Sequence, residues 1–382
     1  MIYAIYPTKD VWISSGSNAA TTGISERDQN YGQDEVLEIK KNFFNDSFDY
    51  PTRALIQFNL TDISSSIVKG DIPDVASGNT KYYLRLFETE GTQELSTEYK
   101  LAAFPVSESW DEGTGKFGDN PKVTVGASWE NKNNFPGSTA VTWSHADGTQ
   151  FHGGSFVSGS GNEVSQSFSY ESPDINMDVT DIVNNWLDGT NKNFGFLLRF
   201  SGSQETDSAT FGQLKFFSSN TSTIYPPKLE VRWDDHLPAT GSNTGSLSAI
   251  SIEGTDDNYL YIKRMKERYK ETEKAKFRVG ARKRYIQKTF SASVQTVSPE
   301  YIPETCGSYA IIDSSTGEEL VPFEDNKSTT YTYLSSDVSG SYFTQWLNTF
   351  QPNRIYKIML KLKTNDGQEL IFDDDFEFKV VK

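Results

Sequence analysis

Apolar residues in this chain come in short runs, each interrupted before a bilayer-spanning length is reached. The runs include Ala54-Leu55-Ile56-Gln57-Phe58, Tyr82-Tyr83-Leu84-Arg85-Leu86-Phe87, Gly195-Phe196-Leu197-Leu198-Arg199-Phe200, Leu214-Lys215-Phe216-Phe217 and Lys228-Leu229-Glu230-Val231-Arg232-Trp233. Turn formers punctuate them: Asn30-Tyr31-Gly32, Asp111-Glu112-Gly113, Asp147-Gly148 and Asp188-Gly189. Such a chain buries its apolar surface by stacking strands, so the expected class is all-β, with a jelly-roll β-sandwich over residues 1–235. An aromatic share of 13% points the same way, because aromatic rings fit a pleated, half-buried surface.

One helix is expected among these strands. In Asp178–Gly189 the apolar residues Val179, Ile182, Val183, Trp186 and Leu187 recur at helical spacing and form one buried face. Asp178 fits an N-cap and Gly189 the first residue past the C-terminus. This helix is expected to lid one end of the sandwich, with Trp186 turned into the core. Residues 236–249 are rich in Gly, Ser, Thr and Asn and read as a linker. Residues 250–382 return to strands and suit an immunoglobulin-like sandwich. Within them, Lys361-Leu362-Lys363 and Glu369-Leu370-Ile371-Phe372 flank the hairpin signal Asn365-Asp366-Gly367.

Several classes fall away. No apolar run approaches a membrane span, so no membrane association is expected. The first ten residues carry no basic n-region and no small-residue cleavage site, so no signal peptide is expected there. Cys306 stands alone, which excludes an internal disulfide and fits synthesis in a reducing compartment. A net charge of −16 makes nucleic acid an unlikely partner for the chain as a whole.

Charge is unevenly spread. Residues 263–288 hold twelve basic side chains against three acidic ones, +9, which leaves −25 on the rest. Such asymmetry favours docking of a basic patch onto an acidic surface, conceivably another copy of the protein. Arg264, Lys266, Arg268, Arg282, Lys283 and Arg284 are the candidate docking residues. A solvated strand face, with Lys and Arg guarding an edge, produces the same pattern.

No catalytic motif stands out. H-E-x-x-H, G-x-S-x-G and the P-loop string are absent, and one cysteine cannot build a Cys₂ zinc site. His145 and His152 read as surface-loop residues and Cys306 as a structural thiol, with His236 the remaining histidine. Paired carboxylates for glycoside hydrolysis are defined only by a separation in space, and no enzyme activity is expected. Asp256-Asp257, Asp373-Asp374-Asp375 and Asp111-Glu112 could hold a structural Ca²⁺, although none has EF-hand spacing. No other metal and no cofactor are expected. Trp110, Trp129 and Trp143 lie in loop-rich sequence. Core packing is the simpler role for Trp110 and Trp143, and stacking on a sugar is the alternative.

The ordered segments of residues 1–235 add a resemblance. Asp10-Val11-Trp12-Ile13, Val36-Leu37-Glu38-Ile39, Arg53-Ala54-Leu55-Ile56-Gln57-Phe58-Asn59-Leu60, Val106-Ser107-Glu108-Ser109-Trp110-Asp111-Glu112, Ala140-Val141-Thr142-Trp143, Val179–Trp186 and Tyr225-Pro226-Pro227-Lys228-Leu229-Glu230-Val231 follow one another in an order that resembles DNRLRE-type jelly-roll modules, relatives of carbohydrate-binding modules. The acidic-Asn-Arg-Leu-Arg-Glu string itself is absent. Residues 255–382, through Tyr285-Ile286-Gln287-Lys288-Thr289-Phe290, Ser308-Tyr309-Ala310-Ile311-Ile312-Asp313, Leu347–Ile358 and Asp373–Val380, are similar to a β-domain of structural virion proteins of large tailed phages. The two likenesses together imply a non-enzymatic virion component of the tail, baseplate or neck. It would be a homo-oligomer assembled with other virion proteins in the host cytoplasm. The alternative is a carbohydrate-binding module or adhesin that recognises a host glycan.

Overall fold

A computed structural model describes residues 1–16, 25–44, 47–89, 99–144, 152–168, 174–207, 209–253, 258–285, 290, 292–294, 299–326 and 329–382. The chain is 43% strand and 9% helix, so it is all-β. It divides into two compact units, one of Ile5–Val231 and one of Met1–Ala4 with Arg232–Lys382.

In the unit Ile5–Val231 a five-stranded antiparallel sheet runs in the order Val164–Phe168, Tyr99–Pro105, Phe196–Phe200, Thr52–Phe58, Pro7–Ser14. Thr80–Leu86 pairs with Ile175–Asp178 in a second sheet, and Gly212–Phe217 pairs with Val36–Phe44 in a separate ribbon. Thr80–Leu86 alternates strictly, with Tyr82, Leu84 and Leu86 buried and the residues between them half-exposed. That alternation marks a strand with one wet face.

The expected helix is present as Thr180–Leu187, with Ile182, Val183 and Trp186 buried. Trp186 packs on Phe196 of the five-stranded sheet, ring centroids 4.7 Å apart. Its ends are set slightly differently from expectation. Val179 is the boundary residue, and the Asp178 carboxylate accepts from the Thr180 amide at 3.0 Å. Gly189 follows with φ 82°, the left-handed value that a glycine adopts without strain. A second helix, Thr61–Lys69, was not legible. Its three consecutive serines leave only Ile63 buried, so no apolar stripe announces it.

In the other unit, Lys274–Lys283 is central to one sheet. It pairs with Asn258–Lys263 and Gly340–Trp346, and Gly340–Trp346 pairs on with Ser335–Asp337. A second sheet runs Arg268–Lys270, Glu369–Val381, Ile355–Lys363, Gly307–Asp313, Glu319–Val321. Rings from the two sheets meet in the core: Tyr309 stacks on Phe343 at 3.8 Å, and Phe277 lies 5.4 Å from Phe378. The expected hairpin is present, with Lys363 paired to Glu369 and Gly367 at φ 86°. Residues 236–249 belong to this unit and contain the short helix Gly241–Thr244. Among the described residues no helix is long and apolar enough to cross a membrane.

Candidate functional site

The central strand of the second unit supplies the most distinctive surface. Lys274–Lys283 alternates along its length: Ala275, Phe277, Val279 and Ala281 point into the core, and Lys274, Lys276, Arg278 and Arg282 point out. Register then decides what flanks them. Arg282 sits opposite Tyr259 and Arg278 opposite Tyr342. Each outward cation covers a ring. Lys276 Nζ lies 3.5 Å from the Tyr342 centroid, Arg282 4.9 Å from Tyr259 and Lys274 5.2 Å from Trp346. Such cation–π contacts hold long side chains in fixed directions. Tyr261 stacks with Tyr259 and lies over Gly280, where a Cβ would meet its ring at 2.4 Å. Asp337 anchors one edge, accepting from Arg278 at 2.5 Å and from Lys276 at 3.1 Å. The result is a sheet face of interleaved bases and rings.

The six sequence-identified docking residues do not form one cluster. Arg282 lies on this face, Lys283 ends the strand and is exposed, and Arg284 follows in an exposed bend. Arg264 and Lys266 follow Asn258–Lys263, at the opposite end of its pairing, since Lys263 faces Arg278 and Asn258 faces Lys283. Arg268 belongs to the other sheet, where it pairs with Lys379. Lys266 is held 3.9 Å from Glu273 and over the Tyr269 ring. Among the described residues Arg264, Arg268, Lys283 and Arg284 have no ion pair. Tyr285, 73% exposed, and the fully exposed Phe290 lie just beyond Arg284. Tyr259, Tyr261, Tyr342 and Trp346 were not identified from sequence, because cross-strand register alone brings them beside the bases. Lys288 lies outside the described residues.

Trp110 and Trp143 are core residues in the structure, each 1% exposed. Their indole N–H groups donate to the carbonyls of Phe194 and Ser128, both at 2.8 Å. Buried rings with satisfied N–H groups present no face to a sugar. Parts of two acidic strings are engaged by neighbouring groups. Asp373 and Asp375 lie inside the strand Glu369–Val381, and the Lys357 ammonium bridges them, 3.0 Å from Asp375. Glu112 accepts from the Asp10 amide at 3.0 Å, and Lys9 lies over Trp110 while donating to its carbonyl. Asp256 and Asp257 lie outside the described residues, as does His145. His152 Nδ1 is 2.8 Å from Glu130, and His236 Nε2 is 2.5 Å from Glu304. Burial, followed by the Glu304 charge, pushes the Cys306 thiol up, which is the wrong direction for a nucleophile. Among the described residues no group of three His, Cys, Asp or Glu side chains is placed to hold a metal.

The unit Ile5–Val231 carries a second feature, a groove of 390 Å³ over the ribbon of Val36–Phe44 and Gly212–Phe217. Trp12 forms its floor, stacked on Tyr31 at 3.7 Å. Asp34 ties it together, accepting from Trp12 Nε1 at 2.7 Å and from the Phe117 amide at 2.8 Å. Phe117 stands at the rim, 70% exposed. Glu38 bonds Lys40 at 2.6 Å and takes the Gln213 amide, and Lys215 faces it across the ribbon. Burial pushes Asp34 up, the Phe117 and Trp12 bonds oppose this, and Asp119 and Glu38 add to the rise. The Tyr31 phenol is raised too, first by burial and then by Glu26, Asp34, Glu38 and Asp28. The groove is thus lined by two aromatic rings, Trp12 and Phe117, and by three carboxylates, Asp34, Glu35 and Glu38, against the ammonium groups of Lys40 and Lys215. No family model matches the chain, and no curated protein matches it.

Proposed function

We propose that this chain is a non-enzymatic structural protein of a tailed-phage virion, a β-scaffold and attachment element of the tail, baseplate or neck, assembled with other virion proteins in the host cytoplasm. In this reading Ile5–Val231 is a jelly roll that presents loops, and the other unit is an immunoglobulin-like sandwich that docks. The observation that carries it is the outward face of Lys274–Lys283. Bases pinned over rings suit recognition of an acidic protein surface, because the cations are preorganised and lose little freedom on binding. The continuation through Lys283, Arg284 and Tyr285 adds an exposed ring to unpaired cations, and of these Arg and Tyr are residue types enriched at interfaces. Arg282→Glu, Lys283→Glu and Arg284→Glu together are expected to lower incorporation of the labelled protein into particles by at least tenfold. Undiminished incorporation of the folded variant rules out this dock.

The second reading, glycan recognition, draws on Phe117 rather than on Trp110 or Trp143. An exposed ring beside a groove of carboxylates, amide and ammonium groups suits a sugar ring with its hydroxyls. A glycan array probed with the full chain and with Phe117→Ala tests it, and equal signals from the two proteins would exclude it.

A further inference from the structure

We infer that the acidic groove of Trp12, Asp34 and Phe117 is the receptor for the basic segment around Lys283 and Arg284 of a second copy of this chain. The inference rests on the docking reading above and supplies its partner. Each side carries charge that the described residues leave partly unpaired. At the groove, Lys40 takes Glu38, Lys215 lies opposite Glu38 across the ribbon, and Lys122 takes Asp28. Glu26, Asp34, Glu35 and Asp119 then have no ion pair among the described residues; burial first, and then neighbouring carboxylates such as Asp119 and Glu38, lifts Asp34. Like charges gathered around one stacked ring pair are unfavourable until a cation arrives. On the other side, Lys283 and Arg284 lack a carboxylate among the described residues.

Shape and ring chemistry agree with charge. The groove is open to solvent at Phe117, and the exposed Glu35 lines the same groove, so a guanidinium laid on that ring has a carboxylate in reach of the same pocket. Arg suits this task, since it pairs in a plane with carboxylates and stacks on aromatic faces. Tyr285 follows Arg284 directly and is itself exposed. One copy thus carries a cation–ring segment in one unit and an acidic groove in the other. Contact between unlike surfaces is heterologous, so it propagates from copy to copy and either closes a ring or extends a filament.

Sedimentation velocity on the full chain tests this. The wild-type protein is expected to self-associate at about 0.1 M salt and to dissociate at about 1 M, where the screening length falls from roughly 10 Å to roughly 3 Å. Two folded variants, Lys283→Glu with Arg284→Glu and Glu35→Lys with Phe117→Ala, should each weaken association about tenfold or more. Mixed together, they should form a complex of one copy each and no larger species, because each variant retains the half that the other lacks. A wild-type protein that stays monomeric at both salts overturns the inference. So does a groove variant that associates normally, and if the basic variant has meanwhile lost particle incorporation, the docking reading survives with a different partner. Loss of glycan binding in the groove variant with no change in association also overturns it, and returns the groove to sugar recognition.

Discussion

The side-chain amide of Asn30 donates to the carbonyl oxygen of Glu112 at 2.7 Å, across more than eighty residues of chain. The same amide reaches the Ala127 carbonyl at 2.7 Å, and its oxygen accepts from the Gly32 and Gly115 amides. One buried side chain therefore satisfies four backbone groups, three of them in the segment between Pro105 and Asn131 that carries Trp110 and Phe117. The backbone packs so closely here that a Cβ at Gly113, φ 88°, would meet Asn30 Oδ1 at 2.3 Å. Asn30→Ala is expected to destabilise the protein by about 3 kcal/mol, since the four groups lose their partners in a site with little room for water. The urea midpoint measures this, and a loss under about 1 kcal/mol would show that the loops hold by other means.

Glu205 is buried between two arginines. Arg53 donates to both of its oxygens, at 2.7 and 2.9 Å, and Arg199 donates to one of them. Glu205→Gln leaves two cations short of a counter-charge and should cost about 3–5 kcal/mol. Arg53→Met combined with Glu205→Leu should cost less than the two single changes summed, because the Arg53 charge goes along with its partner, while Arg199 still loses its carboxylate. A double-mutant cycle by chemical denaturation measures the coupling.

Trp110→Ala and Trp143→Ala should each cost about 3–5 kcal/mol, because a buried ring is replaced by a cavity. The expected signature is a drop in Tm with the far-UV spectrum of a β protein retained below the transition. An unchanged Tm would place the rings outside the core.

Asp10 and Asp337 respond oppositely to pH. Burial pushes Asp10 up to about 7, with the two Ser219 bonds opposing it. The folded protein then holds that proton more tightly than the unfolded chain does, so its contribution is complete below 3.8 and is lost as pH rises through about 7. Burial also works against ionisation of Asp337, but the Arg278 bond, supported by the Ser339 amide and Lys276, holds it at about 2. Its contribution is present above 3.8 and is lost as pH falls through about 2. Asp10→Asn is expected to flatten the stability profile between those first two values, and Asp337→Asn to flatten it on the acid side. Urea midpoints across the range check both signs.

The strand character, the helix Thr180–Leu187 and the Asp366-Gly367 hairpin were legible in the sequence, because each is set by local periodicity or turn chemistry. Thr61–Lys69 was not, since its serines carry no apolar stripe and its stability comes from where Ile63 is buried. Only the tertiary structure decided which bases belong together. Arg264 and Arg282 lie at opposite ends of a strand pairing, and Arg268 joins the other sheet, although all three fall in one basic stretch of chain. Only it decided that Trp110 is core and Phe117 exposed, through the hold of Asn30 and Asp34 on distant backbone. Period and composition are properties of neighbours along the chain. Register, and the long-range bonds that anchor loops, join residues far apart in sequence, and they determine which side chains share a surface.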